Sequence, residues 1–150
     1  MIEYTKLLVP IDGSELSDLA FDHAIALAKL TNATITNVHV LEPLKYTFNG
    51  ELEVMDAIEV IESSSEKEAR SLLDKYHKKG EKEGIEIKSL LIKGKAAHEI
   101  IRMSFDYDLI IMGTLGRNIF ASIIIGSKTE KVARHARCPV MLVRNSKKDR

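Results

Sequence analysis

The sequence predicts an α/β fold: a doubly wound, five-stranded parallel sheet of the Rossmann-like type, with helices on both faces. Three observations carry this. Short apolar or β-branched runs alternate strictly with helix-period stretches, and the segments joining successive strands are too long for hairpins. One run, Asp108 to Met112 (DLIIM), is apolar enough to be covered on both faces, as parallel strands are. At 150 residues the chain is expected to be a single domain over 1–150, without internal repeats. That length removes about 70% of the unfolded surface from water.

Lys6 to Ile11 (KLLVPI) reads as the first strand, stopped by Asp12-Gly13. The first helix follows, with Leu16, Ala20, Ala24, Leu27 and Leu30 on one face. Thr34 to Leu41 (TITNVHVL) is β-branched and closes at Glu42-Pro43, where proline cannot continue the ladder. A long helix is marked by Ile58, Ile61, Ser65, Ala69, Leu72 and Tyr76, with Ser63-Ser64-Ser65 as its weak point and an end near Gly80 and Gly84. Ile85 to Ile92 is the third strand. Gly94 opens a short helix whose apolar positions are Ala97, Ile100, Ile101 and Phe105, and the DLIIM strand comes next. Ser127 to His135 is helical, and Pro139 to Val143 (PVMLV) is the fifth strand. In such sheets ligands sit at the carboxyl ends of the strands, where the winding reverses.

Composition narrows the classes of function. The 22 basic and 22 acidic residues cancel and are interspersed, so no standing positive field is offered to nucleic acid or to anionic lipid. The basic tail Lys147, Lys148, Asp149, Arg150 reads as a solvated end. The single cysteine, Cys138, has no partner for an internal disulfide, and the first residues lack a signal pattern, so a cytoplasmic location is expected. No apolar run is long enough to span a bilayer; Ile123 to Ile125 is far too short.

The chemistry concentrates in a loop from Gly113 to Ser127. Gly113 leaves the fourth strand, Gly116 permits a positive φ, and Gly126 lets an anion approach the start of the last helix. Exposed N–H groups at a helix N-terminus, with about half a positive charge, favour phosphate. Ser127, Lys128, Thr129, Glu130 also read as a capping box, in which the serine accepts from the backbone of Glu130 and the glutamate reaches back. A P-loop would need a glycine where Ala121 stands and a lysine where Ser127 stands, and the GxGxxG spacing is absent as well.

The spacing of glycine, two residues, glycine, nine residues, glycine and serine resembles the ATP-binding signature of the universal stress protein family. Four segments carry the resemblance in order: KLLVPIDGS, NVHVLEP, SFDYDLIIMGTLGR and GSKTEKVARHARCPVMLV. It implies strand order 3-2-1-4-5, bound ATP with Mg or Mn bridging its phosphates, and a regulatory or stress-response role. Pro10, Ile11 and Asp12 match the nucleotide contacts at the first strand's end. Val40 matches a position that turns backbone groups toward adenine. Met112, Gly113, Gly116, Arg117, Gly126 and Ser127 match the ribose and phosphate contacts. Leu115 and Lys128 depart from the family pattern, and Lys128 either adds a phosphate contact or points to solvent. In that strand order Val140 to Val143 is an apolar edge, which pairing in a homodimer would cover.

Other residues keep two readings. Asp12 is a turn residue for the first helix or a nucleotide contact, and Arg117 a phosphate ligand or a solvated charge. His23, His39, His77, His98 and His135 show no metal-ligand spacing and are expected to be structural or exposed, with no resident metal site. Cys138 reads as a small buried residue. No general base or carboxylate set beyond Asp12 marks a dedicated catalyst, so no catalytic residue is assigned and hydrolysis of ATP, if any, is slow. The remaining alternative is a dimeric scaffold without functional use of ATP.

Overall fold

In the computed structural model, which describes residues 1–44, 52–114 and 125–145, the alternating runs form five parallel strands and four α-helices. In chain order these are β1 (Lys6–Pro10), α1 (Glu15–Thr31), β2 (Thr34–Leu41), α2 (Leu52–Lys82), β3 (Ile87–Lys93), α3 (Ala96–Met103), β4 (Leu109–Gly113), α4 (Ser127–His135) and β5 (Val140–Val143). The sheet order is β3-β2-β1-β4-β5, as the resemblance implies. The Leu115, Gly116 and Arg117 positions, Ile123 and Ile124, and the tail from Lys147 lie outside the described residues.

The two-residue period of the central strands explains the layers. Leu7 and Val9 of β1 and Leu109 and Ile111 of β4 face α1 and α2, whereas Leu8, Ile110 and Met112 face α3 and α4. Both faces are therefore buried, and every residue from Leu7 to Val9 is fully enclosed. Among the described residues no helix is long and apolar enough to cross a membrane.

Three sequence expectations shift. In α1 the buried stripe is Ser17, Ala20, Phe21, Ala24, Ile25 and Ala28; the expected Ala20 and Ala24 are in it and Leu27 packs partly buried against the core, but Leu30 is 83% exposed. The alanines at every fourth position let the helix lie close on the sheet, and Phe21 and Ile25 supply the volume the leucines were expected to supply. The α2 helix passes through Ser63-Ser64-Ser65 without a break, yet Ile61 is 48% exposed and the buried positions are Ala69, Leu73 and Tyr76. Length is the reason: a helix of 31 residues extends about 46 Å, whereas the eight residues of β2 span about 26 Å, so half of α2 overhangs the sheet. Finally, Phe105 lies in a 3₁₀ turn, Ser104–Asp106, after α3 and is 67% exposed. There its ring is covered by the Arg137 guanidinium, 5.3 Å from the ring centre.

One contact fixes the amino ends of the central strands. Asp108, just before β4, accepts on a single oxygen, Oδ2, from the Thr5 N–H (2.8 Å), the Lys6 N–H (2.8 Å) and the Thr5 hydroxyl (2.9 Å). Burial alone would raise the pKa of this carboxyl, but the donors prevail and hold it below the usual carboxylate range. Above this clamp the β1–β4 register covers only Leu7 opposite Leu109 and Leu8 opposite Ile110, while β1 stays paired with β2 as far as Pro10 opposite Val38. The seam between β1 and β4 thus opens toward the carboxyl ends, between the half that winds toward β3 and the half that winds toward β5.

Candidate functional site

The opening begins where β1 ends. The Ile11 N–H still donates to the Val38 carbonyl at 2.9 Å, and the chain then turns away through Asp12 and Gly13. Gly13 has φ +80°, a conformation that glycine adopts without strain. Asp12 accepts at Oδ1 from the Ser14 N–H (2.9 Å), and its own N–H donates to Ser17 Oγ at 3.1 Å. Ser14 then caps α1, accepting from the Ser17 N–H at 3.1 Å. The turn reading of Asp12 therefore holds, and the same residue also borders the cleft.

The carboxyl end of β2 supplies Val38, His39 and Val40. His39 Nδ1 lies 2.7 Å from the Ile11 carbonyl. A carbonyl only accepts, so Nδ1 carries the donated proton and Nε2 is left for bonding on the cleft side of the ring. The end of β4 supplies Met112 and Gly113. A β-carbon at Gly113 would lie 2.7 Å from Leu16 Cβ, so this glycine is required by the approach of α1 to β4. The Gly113 carbonyl accepts from the Thr129 hydroxyl at 3.2 Å, and the Gly126 N–H donates to the Thr114 carbonyl at 2.8 Å. These two bonds bring the start of α4 against the end of β4.

The expected capping box does not form. Gly126 is the cap residue, with φ −63° and ψ 151°, Ser127 is the first helical residue, and the Glu130 N–H bonds the Gly126 carbonyl at 2.9 Å. Glu130 turns instead to Arg134, at 2.9–3.0 Å, one helical turn away. A glycine cap has no side chain to offer, so among the described residues no cap side chain occupies the first N–H groups of α4 at the cleft wall. Lys128 keeps an exposed side chain at the cleft border, and its Nζ makes a pair the sequence reading did not foresee, with Glu42 Oε1 at 2.9 Å.

These ends enclose a cleft of about 500 Å³, lined by Pro10, Ile11, Asp12, Val40, Met112, Gly113, Gly126, Ser127 and Lys128 among others. That volume suits a small organic ligand. Gly116 and Arg117, also expected there, fall outside the described residues. Ser17, His39, Glu42 and Thr129 line the cleft too, and sequence reasoning passed over them. The available signal was position: His39 and Glu42 flank Val40 at the end of a predicted strand. A smaller cleft of about 390 Å³ lies alongside, lined by Lys95, His98 and Lys131 and sharing Glu42, Ser127 and Lys128 with the first. Among the described residues no three His, Cys, Asp or Glu side chains converge as metal ligands. Cys138 is half-buried rather than buried, and burial pushes its thiol above the ordinary range, away from nucleophilic use.

Comparison with known proteins places this arrangement. The model of the universal stress protein family matches residues 3–144. A universal stress protein of Methanocaldococcus jannaschii is 32% identical over 148 residues, covering 97% of this chain and 85% of the relative. Among solved structures, the universal stress protein UspA of Lactobacillus plantarum superposes with a TM-score of 0.84 at 24% identity, over 95% of this chain and 99% of that one. Two further family structures contain nucleotides. The Archaeoglobus fulgidus protein, in complex with dAMP, has a TM-score of 0.65 at 21% identity, over 96% of this chain and 100% of that one. The Arabidopsis thaliana protein, with AMP bound, has a TM-score of 0.67 at 18% identity, over 96% of this chain and 94% of that one.

Proposed function

This chain belongs to the universal stress protein family, and from that premise we propose that it binds an adenine nucleotide, ATP, as a cytoplasmic regulatory or stress-response protein. The observation that carries the proposal is the convergence of three strand ends and one open helix start on a single cleft. Its walls divide by chemistry. Val38, Val40, Ile100 and Met112 offer an apolar surface suited to the base. Asp12 offers a carboxylate for the ribose, and the first turn of α4 at Ser127 offers N–H groups to phosphate. The family resemblance adds Gly116 and Arg117 to the phosphate side. One Asp12 oxygen accepts from the Ser14 N–H, and the other would be the protein's contribution to an Mg or Mn ion accompanying the nucleotide, which would supply charge neutralisation to the phosphates. Complexes of relatives with dAMP and AMP support an adenine nucleotide as the ligand class.

Identification of the nucleotide released on denaturing the purified protein, followed by calorimetric titration of ATP, tests this reading. Gly126→Val is the informative variant. Its φ and ψ are ordinary for any residue, so the substitution obstructs the approach of phosphate without straining the backbone. ATP affinity is expected to fall at least about tenfold, with a small change in melting temperature because only a helix cap is altered. Unchanged affinity would remove the phosphate assignment.

The same proposal includes a homodimer through β5. The two sheet edges differ: β3 carries Lys88 and Lys93, which discourage pairing, whereas β5 reads VMLV with Met141 39% exposed. A dimer in sedimentation equilibrium at micromolar concentration is expected, and Met141→Lys is expected to shift it toward monomer. A wild-type monomer under those conditions would contradict the interface.

A further inference from the structure

Glu42 stands where the two clefts meet. It follows β2, whose last carbonyl, at Leu41, accepts from the Gly94 N–H at 2.9 Å and so ties this end to the start of α3. From there Glu42 Oε1 accepts twice, from Lys128 Nζ at 2.9 Å and from the Ala96 N–H, the first of α3, at 3.1 Å. The cap residue of α3, Lys95, has no side-chain acceptor to offer. Glu42 therefore supplies from another strand the negative charge that the helix start attracts. Lys95 and Lys131 border the same space, so one carboxylate lies among several cationic groups.

On the basis of the nucleotide reading above, we propose that Glu42 is a specificity-determining residue that sets how strongly the site prefers a triphosphate to a monophosphate. A phosphate oxygen carries the same sign of charge as the Glu42 carboxylate and accepts the same hydrogen bonds. The two clefts share Glu42, Ser127 and Lys128, so outer phosphates that extend from the first cleft into the second must displace this carboxylate or lie beside it. A single phosphate that stops in the first cleft leaves the Glu42–Lys128 bridge in place. The bridge is exchangeable, because the side chains of Lys128 and Glu42 are 61% and 44% exposed and such pairs are weak. What Glu42 contributes is thus a graded penalty on polyphosphate.

Calorimetric titration of Mg-ATP and of AMP into the wild type, Glu42→Gln and Lys128→Gln tests this. Glu42→Gln keeps an acceptor for the Ala96 N–H and loses only the charge. It is expected to raise ATP affinity about threefold to tenfold and to change AMP affinity less than about twofold, with the gap narrowing in about 0.5 M salt. Lys128→Gln is expected to lower ATP affinity by a similar factor and AMP affinity by a smaller one. Equal factors for both nucleotides in Glu42→Gln, or weaker ATP binding, would overturn the specificity role while leaving the nucleotide site intact. Failure of the wild type to bind either nucleotide would overturn the nucleotide reading and this inference with it.

Discussion

Tyr76→Ala is expected to remove about 4 kcal/mol of stability, the largest loss expected of any single substitution considered for this chain. The ring is 1% exposed and meets Phe21 edge-to-face, with centroids 4.9 Å apart and planes at 71°. It is the principal side chain joining the buried half of α2 to α1. Its hydroxyl donates to Asp18, and burial, reinforced by that carboxylate, holds the phenol protonated far beyond the ordinary tyrosine range. Truncation leaves a cavity between two helices and takes a donor from Asp18. Tyr76→Phe separates the two contributions: it keeps the ring and is expected to cost only about 1 kcal/mol. Urea denaturation of both variants measures the difference. A loss below about 1 kcal/mol in the alanine variant would mean that α2 is held to the body by other contacts.

Gly113→Val is expected to damage stability and binding together. The new β-carbon would meet Leu16 Cβ at 2.7 Å and the Leu16 backbone carbon and oxygen at 3.2 and 3.3 Å. Because the obstruction includes backbone atoms, shortening Leu16 to alanine does not relieve it. Overpacking of this kind costs about 1–3 kcal/mol. The displacement falls on the first turn of α1, where Ser14 and Ser17 hold Asp12. Nucleotide affinity is therefore expected to drop at least about tenfold in the fraction that remains folded. Denaturation and calorimetry on the same preparation check both effects, and wild-type affinity with reduced stability would detach α1 from the site.

The sequence was most legible where local chemistry decided the outcome. Thr34 to Leu41 is β-branched and precedes Pro43, and Ser127 to His135 follows a glycine; both elements keep their expected bounds. The strand ends that form the cleft followed from alternation and from the family resemblance, and nine expected site residues line it. Less legible was whatever depended on how elements approach one another. Leu30 has the right period for a core position, but the alanine ridge turned it outward. Ser127 has the right spacing for a capping box, yet the cap falls one residue earlier, at Gly126, and Ser127 is already the first helical residue. The Glu42–Lys128 pair joins the end of β2 to the start of α4, and only the folded sheet brings them together. His39 had no partner at any informative spacing, since its bond is to a backbone carbonyl.

The Asp108 clamp has a mechanical consequence. Three donors tie the heel of the β1–β4 pair, and the ladder ends after Leu8 and Ile110, so toward their tips β1 rests on β2 and β4 on β5 rather than on each other. The carboxylate that ties them lies about 16 Å from their tips, on the opposite rim of the sheet. Because those donors hold the Asp108 carboxyl below the usual carboxylate range, this heel stays charged and tied at a pH where an ordinary carboxyl would begin to protonate, and only stronger acid would remove the charge the three donors share.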